Sequence, residues 1–479
     1  MKWKRKIRHE HPPRTDISCV WYGGGREIGA SLGVVNMFGH EIQFESGIRP
    51  RVLWAPDTYT GALPNILNEN IEALSRVRDI VLTHPHLDHI GAIIVQLLRM
   101  PPRTLQNLRI WMTQETWRFL VLQLTQTINS MGGRNPAWKG HEPLFTARDI
   151  ELLKTYVHLV KFGEVVELSD TIAMIPVPTG HILGAAAYLL IKKLPNGGDA
   201  RVFVTGDTSD KDQFFINGAT RPKLSVDMLI SDGTNLGKVQ DALEEPVEGF
   251  IESDSILGTV NRGGIIVVPT LSIHREPDNI ARFRTAGIEK VANFYIDGGR
   301  EAVRIFTECL PPEKRGILEN LRFISGRRDR EAVLRERRAV VIAAGGMFPE
   351  RSPAHWWLTR GVEHDDFSFI INNWQDPCSP GASLLSHRED NGNGHTHSHE
   401  KTDLRAITIG EEVFQVRCQV HRLAVSSHQE EGEFERMLDV LSPRLTVVTH
   451  AEYHQARRYL EKKGSQRLVY PKHGKEVGV

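Results

Sequence analysis

The sequence predicts an α/β protein of two or three domains that is organised around a metal site. The chain has 479 residues, which is too many for one hydrophobic core, so several domains are expected. Short β-rich runs alternate with helical patterns along most of the chain, and several of these runs end in a histidine or an aspartate. Alternation of this kind is typical of α/β folds, and the residues at the strand ends are good ligands for a divalent cation.

The composition limits the classes of function. Lys and Arg together number 59, as do Asp and Glu, so no overall charge attracts nucleic acid and any such binding needs a local patch. The basic N-terminus lacks an apolar signal core, and the apolar runs are too short to span a bilayer. The four cysteines are far apart in the sequence: Cys19, Cys309, Cys378 and Cys418. We therefore expect reduced thiols in a cytoplasmic protein without a membrane partner.

The first elements are short strands. Residues 1–16 are polar and charged and predict a loose arm, and Ser18 to Tyr22 predict a strand that runs into three consecutive glycines. These glycines bring the backbone close to an anion in some proteins, but a plain turn between strands explains them equally well. A second β run covers His40 to Gly47, and residues 64–77 predict a helix.

The densest group of ligand residues follows the next strand. His84, His86, Asp88 and His89 fall within six positions, directly after the β-rich run Arg78–Leu82. Two histidines that are two residues apart point the same way from an extended loop, so His84 and His86 can share one metal ion. Asp88 and His89 then face a second ion nearby.

Further candidate residues also stand where β runs end. His181 follows the run 172–178 in Gly180-His181, Asp207 follows 201–204 in Thr205-Gly206-Asp207, and Asp232 follows 226–230. Asp207 can bridge two ions. Near the C-terminus, Ser426, Ser427 and His428 end one strand pattern and His450 ends the next, 22 residues later. This spacing fits one strand-helix-strand unit, so both histidines should emerge at the same edge of a sheet.

The region between Asp232 and His428 has a different pattern. Residues 237–262 are acidic and helical, and alternating strands and helices then continue to Ile371, which predicts a small parallel α/β domain. Between Lys314 and Arg338 there are nine Lys or Arg against four Asp or Glu, so this segment is a candidate phosphate contact or a solvated helix face. Residues 386–403 predict a mobile polar loop, and its histidines, His395, His397 and His399, are not assigned to the site.

These motifs resemble the β-CASP family of the metallo-β-lactamase superfamily. The string Thr83 to Gly91 resembles its second motif, and Asp232, His428 and His450 match its motifs A, B and C. Gly23–Gly29 and the metal string look nearest to ribonuclease J and its archaeal relatives. The resemblance implies an αββα sandwich with an inserted β-CASP domain. The expected parts are residues 1–235, the inserted domain 236–418, and residues 419–479.

The chain departs from the family pattern in several places. Glu45 stands where the family has a second-shell Asp, and Thr449–Glu452 replaces the family's His-Gly-Glu. Residues 269–275 replace the usual Pro-x-Phe-x-x-Gly-Arg, and Gly345–Met347 has divergent surroundings. The metal residues are thus retained, whereas the part that faces the substrate is not typical.

The resemblance implies a role for each candidate residue. One zinc ion would be held by His84, His86 and His181, and a second by Asp88, His89 and His450, with Asp207 between them; Mn²⁺ or Mg²⁺ are alternatives. Asp232 and His428 would form an acid pair, and Ser426 and Ser427 are candidate substrate contacts.

The expected activity is cleavage of single-stranded RNA with 5′-phosphate products, in an exonucleolytic or endonucleolytic mode. DNA remains an alternative substrate, as does a small thioester or lactone. A catalytically silent scaffold in a larger assembly is a further alternative, and a homo-oligomer is compatible with the sequence.

Overall fold

The computed structural model describes residues 16–49, 56–132, 138–195, 197–238, 254–271, 273–389, 406–423, 425–464 and 467–479. The predicted arm before residue 16 and the histidines of the predicted polar loop lie outside these ranges. No helix within the described ranges combines the length and the apolar character needed to cross a bilayer.

The first sheet carries the loop with the histidine motif. Its strands, in the spatial order β22-β1-β2-β3-β4-β5-β6, are β1 (Ile17–Gly23), β2 (Leu32–Met37), β3 (His40–Phe44), β4 (Asp79–Val81), β5 (Arg109–Thr113), β6 (Val157–Val160) and β22 (Glu476–Gly478). Strands β1 to β3 are antiparallel and β3 to β6 are parallel. Phe44 pairs with Val81, so Glu45 and the residues after Val81 leave the sheet side by side.

The second sheet presents the acidic residues. Its order is β21-β20-β11-β10-β9-β8-β7, with β7 (Val166–Ser169), β8 (Ile172–Pro178), β9 (Ala186–Lys193), β10 (Asp199–Val204), β11 (Met228–Asp232), β20 (Leu445–Thr449) and β21 (Leu468–Val469). Strands β10, β11 and β20 are parallel neighbours, and Asp232 pairs with Thr449. The residues after these three strands, Asp207 and His450 among them, therefore meet at one edge.

The two sheets pack face to face with helices on both outer surfaces. Trp21, Phe44 and Trp111 of the first sheet share a buried core with Tyr188 and Met228 of the second. The first sheet is covered by α1 (Pro56–Ala62), α2 (Asn65–Glu69), α3 (Leu87–Ile90), α4 (Ile93–Arg99), α5 (Pro102–Leu105), α6 (Gln114–Met131) and α7 (Ala147–Lys154). The second is covered by α15 (Glu431–Leu441) and α16 (Tyr453–Lys463). This is the αββα sandwich that the sequence predicted.

A third sheet forms the inserted part. Its order is β14-β13-β15-β12-β16-β19, with β12 (Ile265–Thr270), β13 (Asn293–Asp297), β14 (Phe323–Ile324), β15 (Ala339–Ala344), β16 (Phe367–Ile371) and β19 (Gln419–Arg422). Every pairing in it is parallel. Strands β12 and β16 are buried throughout and read as unbroken apolar or small runs, as expected for a parallel sheet covered on both faces.

Helices cover both faces of the third sheet. One face packs against α8 (Asp254–Asn261), α9 (Arg275–Thr285) and α10 (Arg300–Cys309), and the other against α12 (Arg327–Glu336), α13 (Pro353–Gly361) and α14 (Pro380–Glu389). The short α11 (Pro312–Arg315) and the hairpin of β17 (Ala406–Ile409) and β18 (Glu412–Gln415) complete the fold. The core of the first face includes Phe119, Ile182 and Phe215 of the sandwich, so the inserted part shares apolar packing with the sandwich.

Two local predictions were wrong. Residues 64–77 form α2 and a separate 3₁₀ turn at Ile71–Leu74, because the backbone of Asn70 between them is not helical, with a φ of −157° and a ψ of 66°. Residues 386–389 belong to α14 instead of a loop. The predicted α/β fold class is confirmed, whereas the boundaries 1–235, 236–418 and 419–479 stay a prediction.

Candidate metal centre

The loop after β4 brings the first two histidines together. His84 lies in the extended segment that follows β4, and His86 is the N-cap of α3 with an extended backbone. The Nε2 atom of His84 lies 3.0 Å from Nδ1 of His86. The chain then turns into α3, which contains Asp88 and His89. The short spacing in the sequence thus yields two pairs of ligand atoms from one strand end.

The first group gathers three histidines around Asp207. Nε2 of His181 lies 3.2 Å from Nδ1 of His86. Oδ2 of Asp207 lies 3.5 Å from Nε2 of His84 and 3.5 Å from Nε2 of His181. One ligand atom from each of these four residues lies within 4.8 Å of the others. Three imidazoles and a carboxylate form a donor set that suits zinc.

The second group lies on the other side of Asp207. Nε2 of His450 lies 3.0 Å from Oδ2 of Asp88, and Nε2 of His89 lies 3.8 Å from the same oxygen. Asp207 faces both groups, because Oδ2 lies 3.4 Å from Nε2 of His89 and Oδ1 lies 3.4 Å from Nδ1 of His450. A carboxylate in this position can bridge two cations.

Unusual backbone conformations position the second group. His450 has a φ of 53° and Glu45 a φ of 63°, a left-handed region that disfavours residues with a side chain. The backbone N–H of His450 donates to the carbonyl of Gly24 at 2.5 Å, so the glycine turn after β1 holds the strained residue. The opening glycines therefore support the site through a backbone contact.

Asp232, which is buried, and His428, which is partly exposed, form a pair beside the two groups. Nδ1 of His428 lies 2.9 Å from Oδ2 of Asp232. Thr234 donates its hydroxyl to Oδ1 of Asp232 at 2.6 Å, and this hydroxyl oxygen lies 2.9 Å from Nδ1 of His450. The pair is adjacent to the metal groups, since Nδ1 of His428 lies 3.8 Å from Oδ2 of Asp207. With Nδ1 engaged, Nε2 of His428 is the ring atom left for another partner.

Further hydrogen bonds orient the candidate ligand residues. The hydroxyl of Thr83 donates to Glu45 and lies 3.0 Å from Nδ1 of His84. Nδ1 of His181 donates to the carbonyl of Ser427 at 2.9 Å. In both histidines Nδ1 is engaged, which turns Nε2 toward Asp207. Such partners fix the tautomer and the orientation of metal-ligating imidazoles.

Burial keeps three imidazoles neutral. It lowers the pKa of His84 and His181 well below the usual value and that of His86 to about 4. Neutral imidazole is the form that binds a metal ion.

The carboxylates have the opposite effect on the other imidazoles. Burial alone would lower the pKa of His89, His428 and His450, but Asp207 and its acidic neighbours outweigh it and raise all three, that of His450 to about 10. The pocket therefore favours positive charge near Asp207.

Several buried atoms of the site that lack a hydrogen-bond partner are suited to bind a metal cation. Among the described residues, both ring nitrogens of the buried His89 and Oδ1 of the buried Asp207 lack a hydrogen-bond partner. Burial of a polar atom without a partner is unfavourable. These atoms belong to the second group and to the bridging position, so the residues present fit a metal ion there.

Comparisons with known proteins agree with this site. Residues 55–219 match the family described as "Metallo-beta-lactamase superfamily domain", and residues 414–471 match "Zn-dependent metallo-hydrolase RNA specificity domain". The first match contains His84, His86, Asp88, His89, His181 and Asp207, and the second contains His428 and His450. Residues 55–219 thus carry a metallo-β-lactamase superfamily domain, and the two matches agree with the predicted resemblance to the β-CASP family. Both descriptions, together with the clustered histidines and aspartates, support a metal-dependent hydrolase.

The β-CASP relatives are distant in sequence. The "Endoribonuclease ysh1" of Emericella nidulans is 21% identical over 94% of this chain and 52% of its own length. The "Cleavage and polyadenylation specificity factor subunit 3-II" of Arabidopsis thaliana is 23% identical over 91% of this chain and 68% of its own length. This chain thus spans about half to two thirds of these relatives. A crystal structure of a protein of unknown function from Enterococcus faecalis has a TM-score of 0.54 at 14% identity over 97% of this chain and 100% of that chain, which supports the fold.

The fold brings all the predicted metal and acid residues into one pocket. The distances above connect His84, His86, Asp88, His89, His181, Asp207, Asp232, His428 and His450, and their roles as ligands and acid stay predictions. Glu45, whose role the sequence left open, lies 3.3 Å from Nδ1 of His89 and accepts from Thr83. The likeness to ribonuclease J also stays a prediction.

Some residues have contacts that the sequence did not indicate. Ser427 is buried and holds His181, while the hydroxyl of Ser426 accepts from the N–H of His428 at 3.2 Å. Their predicted contact with substrate stays a prediction. Thr234 and Thr83 were missed; each lies within two residues of a candidate, which was the only available signal.

Proposed function

We propose that this chain is a zinc-dependent phosphodiesterase that cleaves single-stranded RNA and leaves 5′-phosphate products. The observation that carries the proposal is the hydrogen-bonded pair of Asp232 and His428 beside two groups of metal ligands. A hydrolase that expels a poor leaving group needs a proton donor next to its electrophilic centre, and this pair can supply one.

The family comparisons favour RNA as the substrate. The C-terminal match is described as an RNA specificity domain, and it covers His428 and His450. The fungal relatives are named endoribonucleases. RNA is therefore the leading candidate, and both an endonucleolytic and an exonucleolytic mode are compatible with the site.

The ligand groups divide between two metal ions. His84, His86 and His181 would hold one ion, Asp88, His89 and His450 would hold the other, and Asp207 would contact both. When bound, such a pair acidifies a water molecule, whose pKa falls from 15.7 toward about 7, and polarises the phosphoryl oxygens. The carboxylates of Asp88 and Asp207 balance this positive charge inside a buried pocket.

Proton transfer to the leaving group falls to His428. Asp232 accepts the Nδ1 proton, so Nε2 can carry the proton that reaches the 3′ oxygen. The neighbouring carboxylates overcome burial and raise the pKa of His428, which favours the protonated form of the ring. Thr234 fixes the other oxygen of Asp232 and thereby the direction of the pair. A positioned general acid contributes about 10²–10⁴-fold to such a step.

A small thioester or lactone is the alternative substrate class. Its leaving group needs less help from a proton donor, so the hydrogen-bonded Asp232–His428 pair favours the phosphodiester. DNA differs from RNA by a single hydroxyl per nucleotide, and cleavage of DNA remains the second alternative. The cytoplasmic location and a homo-oligomer also remain proposals.

End mapping of labelled substrates tests the proposed function. Zinc-loaded protein is incubated with 5′-labelled single-stranded RNA and DNA of one sequence, with and without EDTA. We expect EDTA-sensitive cleavage of RNA, new 5′-phosphate ends, and no cleavage by Asp207→Asn. Cleavage by Asp207→Asn at the wild-type rate, or products with 5′-hydroxyl ends, would contradict the proposal.

A further inference from the structure

A group of arginines surrounds the ends of β13 and β14, with α10 on one face of the inserted sheet and α12 and α13 on the other. It consists of Arg300 at the start of α10, Arg327, Arg328 and Arg330 in α12, and Arg360 in α13, together with Trp356. We call this group the arginine corner. Helices α10, α12 and α13 follow β13, β14 and β15, and these strands are parallel, so α10 and α12 begin at the same edge of the sheet.

The arginines of the corner differ in whether an ion pair holds them. Arg327 pairs with Glu331, and Arg330 pairs with Asp297. Within the described ranges, Arg300, Arg328 and Arg360 form no ion pair, and all three are exposed. Cations at the start of a helix are unfavourable for the helix itself, so Arg328 is not explained by the stability of α12.

Aromatic rings hold the guanidinium groups in place. Arg330 and Arg360 lie over the ring of Trp356, at 5.5 Å and 4.8 Å from its centre, and Arg300 lies 4.3 Å from the centre of Phe323. Stacked guanidinium groups lose less conformational freedom when they bind a phosphate. Arg300, Arg330 and Arg360 are thus held by aromatic rings, whereas among the described residues no such contact holds Arg328. Arginines interleaved with aromatic rings are typical of surfaces that bind single strands.

The arginine corner lies at the same edge of the inserted sheet as the contact between this sheet and the loop of His181. The two places are separated along this edge. His274 follows β12, and its Nε2 lies 3.0 Å from the side chain of Gln213, which donates to the carbonyl of His181. β14 is three strands from β12 in the sheet, which corresponds to roughly 14 Å at the usual strand spacing. A strand that occupies both places must be several nucleotides long.

We infer that the arginine corner binds the phosphate backbone of single-stranded RNA several nucleotides from the bond that is cleaved. This inference rests on the proposed function for its choice of RNA. Arg300, Arg328 and Arg360 each contact a phosphate, and the corner raises the affinity for long substrates only.

Salt dependence of binding tests the corner. The triple variant Arg300→Gln, Arg328→Gln and Arg360→Gln is compared with the intact protein, both carrying Asp207→Asn so that RNA is not cleaved. Three lost phosphate contacts should reduce the slope of log affinity against log salt by about 2. Between 50 and 200 mM salt, the protein with an intact corner should therefore lose about 20-fold more affinity than the triple variant.

A matched control loses three arginines that are already paired. Arg304→Gln, Arg103→Gln and Arg457→Gln remove partners of Glu301, Glu72 and Glu461, respectively. We expect this control to keep the salt slope. In the active protein, the corner variant should raise KM for an RNA of about 20 nucleotides and leave the cleavage of a dinucleotide unchanged.

The possible failures can be told apart. If the wild type cleaves RNA while the corner variant keeps the salt slope and the KM, the corner inference is wrong and the proposed function stands. If the corner variant slows the dinucleotide as much as the long RNA, the corner acts on the fold of the active site and the inference is again wrong. If the wild type cleaves no RNA, the proposed function fails, and equal salt slopes of the two Asp207→Asn proteins would then refute the corner inference on their own.

Discussion

Glu276 gives the most quantitative prediction for the folded chain. It lies in the first turn of α9, is fully buried, and among the described residues neither of its carboxyl oxygens has a hydrogen-bond partner. Burial and the nearby Asp297 raise its pKa from 4.5 to about 8. The folded protein therefore binds a proton that the unfolded chain releases at lower pH.

The magnitude follows from linkage. Because folding raises the pKa of Glu276, the contribution of this side chain to the free energy of unfolding is largest below pH 4.5. This contribution declines as the pH rises toward 8. The full shift corresponds to about 5 kcal/mol, and the part between pH 6 and pH 9 to about 3 kcal/mol. Glu276→Gln keeps the shape and removes the charge, so the variant should lose this pH dependence.

The assay compares the unfolding of wild type and Glu276→Gln at pH 6 and pH 9. Hydrogen exchange of the α9 amides gives the local opening free energy, which does not require two-state unfolding of a large protein. Between pH 6 and pH 9, we expect the opening free energy of the wild type to fall by about 3 kcal/mol more than that of the variant. The exposed Glu313 is the control, and Glu313→Gln should behave as wild type. Equal pH dependence in wild type and Glu276→Gln would refute the reasoning.

Three further predictions concern the metal centre. His428→Ala should keep the zinc content and lower kcat on RNA by about 10²–10⁴-fold, but have little effect on a bis(p-nitrophenyl) phosphate ester, whose leaving group needs no acid; loss of zinc would contradict this. Zinc affinity, measured by chelator competition, should increase from pH 6.5 to pH 8. The nearby carboxylates raise the pKa of His89, so a proton on this ring competes with the zinc ion at the lower pH. A zinc affinity that does not change with pH would contradict this prediction. Thr234→Val should lower kcat and the thermal midpoint, since Asp232 loses a buried donor worth about 1–3 kcal/mol; unchanged kcat would show that Asp232 is positioned without Thr234.

Most of the pocket could be predicted because its residues stand at strand ends. His84 follows β4 of the first sheet and Asp207 follows β10 of the second, and within each sheet parallel strands bring their ends to one edge. The periodicity of the inserted part likewise indicated a parallel sheet, since β12 reads as an unbroken apolar run. These features depend on local pattern and on a general rule of sheet geometry, which a single sequence contains.

Other contacts could not be predicted because they join distant segments. Neither Gly24 nor His450 indicates in the sequence that a backbone hydrogen bond joins them, and the left-handed φ of His450 depends on this bond. The arginine corner was visible only as an excess of charge between Lys314 and Arg338. The sequence could not tell paired from unpaired arginines, because pairing depends on partners such as Asp297, which precedes this segment.

The departure from the family pattern after β12 acquires a physical meaning in the structure. His274 stands where the family pattern has glycine, and it occupies a left-handed conformation with a φ of 61°. Its ring accepts from the N–H of Leu183 at 3.2 Å and contacts Gln213, which donates to the carbonyls of Gly180 and His181. A glycine could adopt this backbone without strain but would lack both contacts. The substitution therefore exchanges conformational ease for a direct connection between the inserted sheet and the loop that presents a metal ligand.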